Sequence, residues 1–130
     1  MRALLVALML TVATQAGAAE FFVLPSTSKL LMMGKTTTDD FSTIKRYIDD
    51  EKITEILLKG PGGNMHSAFE IADLILEANI DTTVIEKTEC ASACSLIFSA
   101  GNKRHMEVGS KLGFHLPFAV IVRRQDFWNH

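Results

Sequence analysis

The chain has 130 residues, with 13 Lys and Arg against 15 Asp and Glu, giving a formal net charge of −2. That length holds one small domain at most, and a mildly acidic surface offers nothing that would recruit nucleic acid or anionic lipid. Its 2 cysteines, with no histidine pair converging on them, leave any zinc ligand set incomplete, so no metal and no cofactor is expected.

At the N-terminus, Met1-Arg2 is a cationic start, Ala3 to Val12 is apolar apart from Thr11, and Ala16-Gly17-Ala18-Ala19 offers the small residues a signal peptidase reads. This pattern is that of a secretory signal peptide over residues 1–19, and it implies a periplasmic or secreted protein beginning near Ala19 or Glu20. The alternative is a membrane anchor, but the apolar run is about half the roughly 20 residues that a spanning helix needs. Cleavage removes Arg2 and no acid, which takes the formal charge from −2 to −3.

Phe21 to Pro25 is an extended stretch that proline ends, and Ser26 to Lys29 is a polar link. Leu30-Leu31-Met32-Met33 followed by Gly34 predicts a buried strand and a turn. Residues 36–40 hold several N-cap candidates for a helix over 41–50, where Phe41, Ile44, Tyr47 and Ile48 recur at helical spacing. Ile53 to Leu58 is the best strand of the chain, nearly all apolar as a parallel strand buried on both faces should be. Gly60-Pro61-Gly62-Gly63 is expected to end it in a turn. A second helix follows, capped by Asn64 or Ser67, with Ala68, Ile71, Ala72 and Ile75 on its apolar face and Glu70, Asp73 and Glu77 on the other. With Thr82 to Ile85 as the next strand, the order suits a right-handed parallel βαβ unit.

Cys90-Ala91-Ser92-Ala93-Cys94 then opens a small-residue and apolar segment that Gly101 closes, so a strand, a turn and a helix are expected with Ser92 in the first helical turn. A hydroxyl there stands near backbone N–H groups without intrahelical partners, a setting that suits a nucleophile whose substrate develops an oxyanion. Serine is equally favoured at that position as a plain helix cap. Cys90 and Cys94, four apart, are within reach of a disulfide that would brace this turn, or are two buried thiols acting as small apolar residues.

Beyond a charged turn at residues 102–104, a short run at 106–108 and a Gly109-Ser110 turn, Lys111 to His115 reads as a strand with His115 at its end. Ala119 to Val122 could add a strand or a helical turn, and residues 123–130 show no usable period. Ser92 and His115 thus supply a nucleophile and a base at strand ends, while the N–H groups of Ala93 and of Gly63 are candidate oxyanion donors. His66, His105 and His130 read as surface histidines.

The three blocks Leu58 to Gly63, Cys90 to Cys94 and Gly113-Phe114-His115-Leu116-Pro117 resemble, in order and approximate spacing, the signature blocks of the Clp protease proteolytic subunit superfamily. The resemblance covers about Leu30 to Pro117. It implies an α/β, ClpP/crotonase-like spiral of ββα units over residues 20–130, incomplete at its C-terminus, with Ser92 as nucleophile, His115 as base, and Gly63 and Ala93 forming the oxyanion hole. The implied function is a serine peptidase acting on peptide or protein substrates, possible as a homo-oligomer; the alternative is a non-catalytic or truncated relative that only binds peptide. Gly60 stands where the family has serine, and cysteines flank the nucleophile. The family takes its orienting acid from well downstream of the histidine, where this chain has only Asp126, which reads as a solvated tail residue.

Overall fold

A computed structural model describes residues 17–115. The leader assigned to residues 1–19 falls largely outside these residues, as do Leu116-Pro117, the run at 119–122, Asp126 and His130.

The chain forms β1 (Glu20–Val23), β2 (Lys29–Thr36), α1 (Asp40–Glu51), β3 (Glu55–Gly63), α2 (Met65–Ala78), β4 (Asp81–Val84), β5 (Glu89–Ala91), α3 (Ala93–Ser99), β6 (Arg104–Met106) and β7 (Lys111–Gly113). The architecture is α/β. Strands β2, β3, β4 and β6 run parallel side by side, and β1 lies antiparallel on the outer edge of β2. A second parallel set, β3, β5 and β7, branches from the far end of β3. Each winding of the chain therefore lays one strand in the first set and one in the second: β4 then β5, β6 then β7, with β3 long enough to serve both.

The first helix is held at its start by residues other than its cap. Asp39 makes no side-chain cap bond, whereas buried Asp40 reaches back to Thr37, accepting from its N–H at 2.7 Å and from its hydroxyl at 2.9 Å. Burial pushes the Asp40 carboxyl above its ordinary range, and the two bonds from Thr37 pull against that shift. Helix α2 starts as its sequence suggests, with Asn64 Oδ1 accepting from the Ser67 N–H at 2.8 Å. Its apolar face, Ala68, Ile71, Ala72 and Ile75, joins Leu30, Ile56, Leu58, Val84 and Ile97 in one core between the helices and the strands.

The structure departs from two expectations. The strand predicted at residues 30–33 continues to Thr36, and Gly60-Pro61-Gly62-Gly63 does not end β3 but forms its last four residues. Between Met33↔Lys59 and Lys35↔Gly62 the register shifts by one residue, so β3 carries a bulge at the bend between the two strand sets. Pro61 is tolerated because an unpaired bulge residue needs no N–H for the ladder. Glycine at 60 is required by packing, since a Cβ there would lie 2.3 Å from the Gly34 carbonyl oxygen. Close backbone approach, rather than a turn, accounts for this glycine.

Candidate active site

Ser92 lies between β5 and α3, not within the helix: α3 begins at Ala93, and Ser92 is the cap residue whose carbonyl accepts from the Leu96 N–H at 3.2 Å. Its backbone adopts φ 55° and ψ −119°. That combination belongs to the first central residue of a type II′ turn, a place glycine dominates because a side chain there crowds its own backbone. The Ser92 hydroxyl makes no capping hydrogen bond. A cap uses extended backbone to aim its oxygen at the next N–H groups, and Ser92 does neither. A sharp, strained strand-to-helix turn that leaves a hydroxyl uncommitted is the geometry in which hydrolases present a nucleophilic serine.

Several contacts hold the turn in this shape. The Ser92 N–H donates to the Gly113 carbonyl at 2.7 Å, which ties the Ser92 turn to the end of β7. Cys90 and Cys94 are joined by a disulfide with their Cα atoms 5.2 Å apart. Because Cys90 is on β5 and Cys94 on α3, the bond straddles Ser92 rather than lying along one helix face. Gly62, at φ 90°, presses its Cα against the turn, and a Cβ on it would stand 2.7 Å from both Ser92 Cβ and the Ala93 nitrogen. Gly63, the next residue, has its Cα against β2, where a Cβ would meet the Thr36 carbonyl.

Ser95 is a site residue that sequence reasoning passed over. It is fully buried, and its hydroxyl stands 2.8 Å from the Cys90 carbonyl and 2.7 Å from the Gly113 carbonyl. Its single proton can be given to one of the two at a time, so it stitches the strand before Ser92 to the strand before His115. A serine one turn into an apolar helix, three residues after the candidate nucleophile, is the only sequence trace of this role.

His115 lies two residues beyond the end of β7, which stops at Gly113 rather than running to the histidine. Parallel pairing of Glu89↔Lys111, Cys90↔Leu112 and Ala91↔Gly113 brings the ends of β5 and β7 side by side, so that Ser92 and His115 both follow the same edge of the second strand set. An open cleft of about 330 Å³, lined by Lys59, Gly60, Pro61, Glu89 and Ala91, lies beside this edge. Of the remaining histidines, His66 is exposed in the first turn of α2, with Nε2 3.8 Å from Glu70, and His105 is exposed on the edge strand β6. Among the described residues no group of three or more His, Cys, Asp or Glu side chains is arranged to hold a metal ion.

No protein-family model and no curated protein matches the chain. Solved structures are similar to it. A mutant of the membrane-bound stomatin-specific protease 1510-N, in complex with a substrate peptide, superposes with a TM-score of 0.55 at 19% identity, over 69% of this chain and 51% of that one. A mutant of ClpP1 from Listeria monocytogenes superposes with a TM-score of 0.61 at 15% identity, over 76% of this chain and 63% of that one. These likenesses establish the fold as ClpP/crotonase-like. The chain spans between 44% and 63% of the length of the protease structures it matches.

Proposed function

We propose that this chain is a serine-type peptidase that cleaves peptide bonds through an acyl-enzyme on Ser92. His115 accepts the Ser92 hydroxyl proton as the oxygen attacks the scissile carbonyl carbon. The resulting oxyanion lies against the N–H groups of Ala93 and Gly63, and the amine leaves with the proton held by His115. Water then repeats the sequence to release the acyl group. The observation that carries this reading is the Ser92 backbone at φ 55° and ψ −119° with no capping bond from its side chain, an arrangement with a cost and no structural return.

A fluorophosphonate probe tests it. Wild-type protein should be labelled on Ser92, and both Ser92→Ala and His115→Ala should remove the label. If folded wild-type protein reacts no faster than Ser92→Ala, the peptidase reading fails and the fold serves as a peptide-binding module.

The proposal includes export to the periplasm or medium, supported by the leader-like run at the N-terminus and by a disulfide that an oxidising compartment would sustain. N-terminal sequencing of protein from the host envelope should begin near Ala19 or Glu20; intact Met1 in the cytosol would refute export. Self-association is part of the same reading, supported by Phe69 and Leu76, which stand 56% and 61% exposed one heptad apart on α2.

A further inference from the structure

We infer that the Cys90–Cys94 bond is a redox latch on the Ser92 turn: oxidised, it keeps the Ser92 hydroxyl free to react, and reduced, it lets that hydroxyl fall back to capping α3. The inference rests on the peptidase reading for what the free hydroxyl then does.

The ring closed by the bond holds only Ala91, Ser92 and Ala93 between its cysteines, whose Cα atoms are 5.2 Å apart. Ala91 ends β5 and Ala93 begins α3, so Ser92 is where the chain changes direction. A serine that caps a helix has extended backbone at this place. With Ala91 extended as well, Cys90 and Ala93 would stand about 10 Å apart, at about 3.3 Å per residue. The Cys94 Cα is about 3.8 Å further along the chain, which cannot double straight back, so it would lie beyond the roughly 6.8 Å that a disulfide spans. The disulfide and the capping conformation of Ser92 therefore exclude each other. At φ 55° and ψ −119° the chain reverses instead, which brings Cys94 beside Cys90 and leaves the Ser92 hydroxyl without a capping bond.

Opening the bond removes that exclusion. As a cap, the Ser92 oxygen would accept from the N–H of Cys94 or Ser95, the second and third residues of α3. The change costs the bond from the Ser92 N–H to Gly113, which is of the same size as the cap bond gained. Ser95 has one proton for two acceptors, so it keeps a full bond to Gly113 while releasing Cys90. With the hydrogen bonds near balance, relief of the left-handed backbone decides the direction, and the reduced turn relaxes to the cap.

Cys90 is fully buried and Cys94 is 5% exposed, so Cys94 is the half of the bond nearer to solvent. A thiolate of a dithiol bonds to Cys94 Sγ, the S–S bond breaks, and Cys90 leaves as a thiolate that takes a proton. The second thiol of the reagent then closes on the first and displaces Cys94 as a thiol, so that one disulfide is lost, one is formed, and the protein gains two electrons. Wherever dithiols keep cysteines reduced, Ser92 would be capped and inert; an oxidising compartment would present it.

The test compares the full chain oxidised, refolded with dithiothreitol, and reoxidised. It measures fluorophosphonate labelling of Ser92 together with the Ser92 carbon chemical shifts by NMR, which separate left-handed from extended backbone. Cys90→Ala combined with Cys94→Ala keeps two small apolar side chains and repeats the reduced state without reductant. Reduction should slow labelling by about tenfold or more, the ratio that strain of this kind sets between two backbone states. It should also move the Ser92 signals to extended values and leave those of α2 in place, and reoxidation should restore both. Reduced, folded protein that is labelled on Ser92 at the oxidised rate overturns the latch and leaves the peptidase standing. Loss of the α2 signals on reduction also overturns it, because the bond would then hold the whole fold rather than the turn. Ser92 signals that follow the redox state in a protein that is never labelled uphold the latch and refute the peptidase.

Discussion

Two strand-to-helix junctions in this molecule begin alike and end differently. At β3–α2, Asn64 sits at φ −67° and ψ 113°, ordinary extended backbone, and its side chain caps the helix. At β5–α3, Ser92 sits at φ 55° and ψ −119°, and its hydroxyl caps nothing. Both residues are among the best N-caps, so residue type does not separate them. What separates them is their surroundings. Asn64 is free to adopt the conformation it prefers, whereas Ser92 is pinned by the Gly113 carbonyl, the Cys90–Cys94 bond and the close approach of Gly62. Strain that persists because neighbours enforce it marks a site, while a satisfied cap marks only a helix start.

The strongest way to break this contrast is Gly62→Ala. The added methyl would meet the Ala91 carbonyl at 2.6 Å and the Ala93 nitrogen and Ser92 Cβ at 2.7 Å, at a φ of 90°. Backbone cannot swing aside as a flexible side chain can, and overpacking together with the left-handed backbone should cost about 3 kcal/mol or more. Chemical denaturation should record that loss, and Ser92 labelling should fall to the Ser92→Ala level because the turn can no longer keep its shape. Retained labelling at wild-type stability would mean that Gly62 does not set the turn.

Elements built from local pattern were legible in the sequence, and the site was legible only in part. The α2 face of Ala68, Ile71, Ala72 and Ile75, its Asn64 cap and the apolar start of β3 follow from periodicity and are found as expected. Gly60 to Gly63 misled because glycine and proline composition signals a turn, whereas these residues continue β3 and admit neighbouring backbone. Strand β5 is 3 residues long and has no run to detect; it exists because Gly60 and Leu112 flank Cys90 in register. Ser95 and Glu89 acquire their places through that pairing. Contacts that depend on which strand lies beside which are not written in any local window, and the left-handed Ser92 backbone is imposed by the same contacts.

Ser95→Ala sharpens the contrast at intermediate cost. Removing its hydroxyl leaves the Cys90 carbonyl without that donor and leaves Gly113 only the Ser92 N–H, so stability should drop by about 1–3 kcal/mol. Ser99→Ala provides the comparison, because the Ser99 hydroxyl only bonds back to the Ser95 carbonyl within α3, at 2.7 Å. If Ser95 couples the Ser92 turn to β7, Ser95→Ala should slow labelling and Ser99→Ala should not. Equal labelling in the two variants would reduce Ser95 to a packing role.

The smallest effect is the most telling, because the two junctions should respond with opposite signs. Asn64→Ala removes a cap in use and should cost about 1 kcal/mol while leaving Ser92 labelling intact. Ser92→Gly removes no bond made by a side chain, and glycine accepts φ 55° and ψ −119° without the crowding a Cβ brings. Release of that crowding should outweigh glycine's greater freedom in the unfolded chain, leaving the variant more stable by up to about 1 kcal/mol and wholly unreactive. A residue whose loss stabilises the fold is retained for something other than the fold. Should Ser92→Gly instead destabilise as much as Asn64→Ala, the serine would be acting as a cap in solution, and the two junctions would be of one kind.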